Sequence, residues 1–149
     1  MSLRKELTVR KIQDVATRDL ALEVLETVYQ GEKGWIDDFD SFFPVSDLDQ
    51  PAVVWFLAER AGEPVGVTRV LYEIPFDLYD QYDFQLTVPG LDVEAFVRNH
   101  KIAEVGRFAV KPEYRKKILI AAILMRAAAT ETVERGYTHF ITDVFEADP

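Results

Sequence analysis

Hydrophobic and polar positions change their period several times along the chain, and each change marks an element. The densest apolar stretch is Ile102 to Val110, where Ile102, Ala103, Val105, Phe108, Ala109 and Val110 are interrupted only by Glu104, Gly106 and Arg107. Such a run suits an interior strand covered on both faces. Lys111-Pro112 ends it, because proline lacks the ladder N–H and pre-sets φ for a first turn. From Ile118 to Val133 there is neither Gly nor Pro, helix formers dominate, and Gly136 supplies an αL terminator. A helix beginning near Arg115 is therefore predicted. Tyr137 to Phe145 then reads as a strand parallel to the first, since a helical crossover joins them.

Upstream, Leu7 to Ile12 alternates as a first strand at a sheet edge. Asp14 or Thr17 can cap a helix running to about Gln30, with Leu20, Ala21, Val24, Leu25 and Val28 as its apolar stripe and Gly31 as terminator. The stretch from Gly34 to Pro44 is aromatic and acidic together, fits neither period, and reads as a loop with a short helical piece. Ala52 to Arg60 and Val65 to Glu73 form the clearest hairpin, joined by Ala61-Gly62-Glu63-Pro64. Pro75 to Gly90 has no period, and Asp92 to Arg98 reads as a short capped helix, the two together forming an insertion over the hairpin. Without repeats or linkers, residues 1–149 read as one α/β domain with a mixed sheet.

Composition narrows the chemistry. With 48% hydrophobic and 29% charged residues the chain can bury a sizeable core. No apolar run approaches the roughly 20 residues of a membrane span, and MSLRKEL lacks the apolar core of a signal peptide, so a cytoplasmic protein away from the membrane is expected. The absence of cysteine removes disulfides, Cys-ligated zinc and a thiol acyl-enzyme. His100 and His139 stand apart in sequence, and no metal is expected. A net charge of -9 opposes nucleic-acid binding, so any anionic ligand must be held locally. The local place is the turn with Arg115, Lys116 and Lys117 at a helix start, where free N–H groups and cationic side chains converge.

The order strand, helix, antiparallel hairpin, strand, basic turn, helix and strand resembles the GNAT acyltransferase superfamily. Val110-Lys111-Pro112-Glu113-Tyr114-Arg115 is similar to the V-x-P-x-Y-R/Q that opens the cofactor motif of that family, and Ala122-Ile123-Leu124 to its continuation. The resemblance implies a phosphopantetheine donor held by Phe108, Ala109, Val110, Arg115, Lys116, Lys117, Ile118, Leu119 and Ile120. Ile118 and Ile120 replace the glycines of the R/Q-x-x-G-x-G/A pattern, where backbone N–H groups meet a pyrophosphate without Cβ interference.

A narrower resemblance is to the acyl-homoserine-lactone and N-acyl amino acid synthases of the same fold. It rests on Gly34-Trp35 followed by Asp37, Asp38 and Asp40, on Gly66-Val67-Thr68-Arg69-Val70-Leu71, and on Glu104-Val105-Gly106-Arg107-Phe108, with Gly106 in place of serine. These enzymes take their acyl group from acyl carrier protein, which presents a single phosphate and does not need the glycines. The resemblance implies an N-acyltransferase acting on a small amine such as an amino acid. It also implies catalytic Glu104 and Arg107, with Trp35 and Arg69 at the substrate.

Each candidate has a plainer alternative. Glu104 is either a base or the ion-pair partner of Arg107 or Arg69. Arg69 and Arg107 either bind an acceptor carboxylate or pair with Asp37, Asp38 or Asp40. Trp35, Phe39, Phe42 and Phe43 wall a pocket or belong to the core. Two rival functions are an ordinary acetyl-coenzyme A-dependent acetyltransferase and a non-catalytic module that binds an acyl thioester or an amino acid. The family continues beyond the last strand with a helix and two strands. The chain is thus expected to be C-terminally incomplete, or to complete its open edge in a homodimer.

Overall fold

The computed structural model describes residues 6–32, 34, 38–73, 89–116 and 118–142. Its frame is a five-stranded sheet in the order β1 (Leu7–Lys11), β2 (Val53–Arg60), β3 (Glu63–Leu71), β4 (Ile102–Val110) and β5 (His139–Ile141). Neighbours are antiparallel as far as β4, and β5 runs parallel to β4. Among the described residues the α-helices named here are α1 (Val15–Leu25), α2 (Phe39–Phe42), α3 (Val93–Asn99) and α4 (Leu119–Glu134). One face of the sheet packs Val54, Phe56, Val70 and Val105 against Ile120, Leu124 and Ala128 of α4. The other packs Trp55, Leu57, Val67 and Ala109 against Ala21, Val24 and Leu25 of α1. Because both faces are covered, β2 reads as a continuous apolar run.

The predicted α/β fold is the observed one, with local departures that have physical causes. Asp14 caps α1 by accepting the Thr17 N–H at 2.7 Å. The helix does not stop at Gly31. After Leu25 it loosens into a π-helix over Glu26–Glu32, and termination falls to Gly34, whose φ of 67° only glycine adopts cheaply. In the hairpin the turn is only Ala61 and Gly62, with φ of 50° and 84°. Positive φ at both central residues matches the right-handed twist of the strands. Glu63 and Pro64 therefore belong to β3, where Pro64 lies opposite the irregularity at Ala58/Glu59 that spares it a ladder N–H.

β4 is interior, between β3 and β5, although the middle strand is β3. The helix expected near Arg115 begins later. A 3₁₀ turn over Pro112–Tyr114 intervenes, and the first residue of α4 is Leu119. Among the described residues the last strand is His139–Ile141, shorter than expected, and 143–149 lie outside them. The expected insertion over the hairpin also lies largely outside the described residues, apart from its helix α3, capped by Asp92. His100 and His139, remote in sequence, have ring centroids 4.2 Å apart, with Phe96 against both. No described helix is long and apolar enough to cross a membrane.

Candidate active site

The site grows from an irregularity in β4. Val67 pairs with Ala109 but Arg69 pairs with Gly106, so Thr68 faces both Arg107 and Phe108. This is a β-bulge, with Arg107 in the left-handed region at φ 51°. Beyond the bulge, the Lys111 N–H donates to Val65 O of β3 at 3.0 Å. The strand alternation then turns Ala109 toward β3, and Phe108 and Val110 away from it, toward the β5 side. On that side pairing covers Ile102, Ala103 and Glu104 only, among the described residues. The outward carbonyls are capped by side chains: Tyr29 donates its hydroxyl to Phe108 O at 2.9 Å, and Arg115 donates Nε–H to Val110 O at 2.9 Å. The edge therefore presents its N–H groups, aimed where an oxyanion can be held.

On the α1 face of the same strand stand the polar groups singled out from sequence. Glu104 is buried, and its Oε1 lies 3.9 Å from Arg69 Nη2. Arg69 also lies over the Trp55 ring, and its buried Nε has no hydrogen-bond partner among the described residues. Arg107 stacks on Phe42 at 3.9 Å. Gly106, opposite Arg69 in the ladder, puts no side chain between these groups and the open edge.

Two of the aspartates after Trp35 have other partners. Asp40 pairs with the buried Arg18 at 3.1 Å, and Asp38 caps α2 through Asp40 N and Ser41 N. Asp37, Trp35 and Lys117 lie outside the described residues. Phe42 and Phe43 are core, with Phe43 stacked on Trp55 at 3.9 Å.

On the donor side the Ile120 side chain points into the core: it is 2% exposed and packs with Leu124 over Gly66. A Cβ on Gly66 would come within 2.9 Å of Leu124 and 3.0 Å of Ile120, so this glycine lets α4 lie close on β3. Ile118 is 80% exposed with an ordinary right-handed backbone at φ -58°, so its conformation does not demand glycine. At the helix start Ala122 N donates to Ile118 O at 2.9 Å, and Ile118 supplies no side-chain cap to the first-turn amides. Exposed Arg115 and Lys116 precede them in the turn.

Lys111 and Tyr29 carry roles that sequence did not assign. Lys111 is buried, its Nζ 3.0 Å from Glu23 and 3.7 Å from Glu63, while Tyr114 donates to Glu63 at 2.6 Å. That hydrogen bond pushes the Tyr114 hydroxyl above its usual range. These contacts seat the basic turn on α1 and β3.

The outward edge of β4, the start of α4 and the buried Glu104 thus lie along one strand and the turn that follows it. The sequence model of the acetyltransferase (GNAT) family matches residues 16–149, and the chain belongs to that family. No curated protein matches it. Among solved structures it is similar to an aminoglycoside acetyltransferase from an uncultured soil metagenomic sample, in complex with sisomicin. That match has 15% identity and a TM-score of 0.68, covering 99% of this chain and 83% of the other. It is similar also to FeeM, an N-acyl amino acid synthase from uncultured soil microbes, at 18% identity and a TM-score of 0.69, covering 94% and 72%. A third is the aminoglycoside acetyltransferase AAC(6')-Iy with a coenzyme A bisubstrate analogue, at 14% identity and a TM-score of 0.67, covering 95% and 82%.

Proposed function

We propose that this protein is an N-acyltransferase that moves an acyl group from a phosphopantetheine thioester directly to the amine of a small carboxylate-bearing molecule, such as an amino acid. The observation that carries this choice is Arg69, whose buried Nε has no hydrogen-bond partner among the described residues and whose guanidinium faces Glu104 across 3.9 Å. A buried donor without an acceptor costs about 1–3 kcal/mol, which an acceptor carboxylate would recover. A polycationic aminoglycoside would meet two arginines instead.

The neutral amine attacks the thioester carbonyl, and one outward N–H of β4, at Phe108 or Val110, holds the oxyanion. Glu104 takes the proton from nitrogen, directly or through one water, and the thiolate leaves. The α4 amides, Arg115 and Lys116, with Lys117 beside them in sequence, receive donor phosphate. The donor is acyl-coenzyme A or acyl carrier protein. The withdrawal of Ile120 into the core favours coenzyme A, and the exposed Ile118 favours a carrier with its own contacts.

Mass spectrometry after incubation with acyl-coenzyme A, acyl carrier protein, mixed amino acids and an aminoglycoside tests the assignment. N-acyl amino acids are expected. Acylation of the aminoglycoside alone would support an ordinary acetyltransferase of cationic amines instead.

A further inference from the structure

We infer that Tyr29 is a positioning residue for acyl transfer, which rests on the function proposed above. Departures from regular geometry meet at this side chain. It lies in the π-helix Glu26–Glu32, an uncommon winding that occurs at functional sites, and its hydroxyl reaches the carbonyl of Phe108 in the β4 bulge. Its ring lies 5.1 Å from Phe42, which in turn stacks on Arg107 at 3.9 Å. Both residues of the bulge are thereby tied to one column: Arg107 through Phe42, and Phe108 through the Tyr29 hydroxyl.

The consequence is electrostatic. A strand edge offers carbonyl oxygens as well as N–H groups, and an uncapped oxygen beside a thioester oxygen that is gaining negative charge would raise the barrier. Tyr29 cancels that oxygen at Phe108, as Arg115 does at Val110. It also fixes the peptide plane between Phe108 and Ala109, and so the direction of the neighbouring donors. Tyr29 touches neither substrate in this scheme and acts only through β4.

Tyr29→Phe keeps the ring packing and removes only the hydroxyl. We expect kcat with acyl-coenzyme A to fall about 3- to 10-fold, as the uncapped Phe108 carbonyl and the loosened strand edge raise the barrier by about the worth of one net hydrogen bond. Coenzyme A affinity by calorimetry should stay within about twofold, because the bond is not made to the donor phosphates. Wild-type kcat in the variant overturns the inference, as does a joint fall of kcat, coenzyme A affinity and thermal stability. If the wild type transfers no acyl group, the function proposed above fails, and amide exchange at Phe108 to Val110 becomes the readout. Faster exchange in Tyr29→Phe then supports its hold on the strand edge, and unchanged exchange overturns it.

Discussion

Glu104 shows how one residue's role depends on what the ladder places beside it. As a carboxylate on an interior strand it was open to catalysis or pairing, and the structure places Arg69 Nη2 3.9 Å from its Oε1. Under the proposed function this carboxylate is the base. Glu104→Gln should therefore lower kcat about 10²- to 10⁴-fold, the usual worth of general base catalysis, with little change in coenzyme A affinity. Steady-state kinetics with calorimetry would show this. Normal turnover in the variant would return Glu104 to a structural pair. Residue identity named this carboxylate and both arginines, with Arg69 among the partners offered for Glu104, and register decided the contact. Asp40, also offered to the arginines of the strands, pairs instead with the buried Arg18.

At the scale of elements, strands and α-helices were legible because their periods and caps are local: Asp14 and Asp92 cap their helices where residue chemistry puts them. The bulge in β4 and the π winding after Leu25 were not, since each is imposed by packing between distant segments. Those two features build the site. One tie between elements was also invisible in sequence: Glu131 of α4 accepts from Lys11 of β1 at 2.7 Å and from Arg135 at 2.9 Å. Burial pushes the Glu131 carboxyl up, but hydrogen bonds from Lys11 and Arg135 outweigh it and hold the group below its ordinary value of 4.5. A depressed folded pKa contributes stability that is present above 4.5 and lost as pH falls through the folded value. Glu131→Gln should thus lower stability at pH 7 by about 1–3 kcal/mol. The deficit should shrink in acid, as measured by urea unfolding from pH 7 to pH 3. A deficit independent of pH would contradict the assignment.

For the molecule as a whole, charge and site run opposite to each other. A chain of net charge -9 repels anions at long range. Yet Arg69 lies 3.9 Å from Glu104 on β4, and the basic turn lies at the exit of the same strand. Under the proposed function, selection of an anionic acceptor occurs at contact, where a desolvated guanidinium discriminates most. The family could be reached from motif order, whereas the acceptor proposed here rests on which side chains share a face. The measurement that tests this most directly is the KM for an amino acid acceptor against that for its methyl ester, in the wild type and in Arg69→Ala. A charged hydrogen bond worth about 1.5–3 kcal/mol predicts roughly a 10- to 100-fold preference for the free carboxylate in the wild type, erased in Arg69→Ala. Equal KM values for acid and ester in the wild type, or a preference that survives Arg69→Ala, would contradict the account.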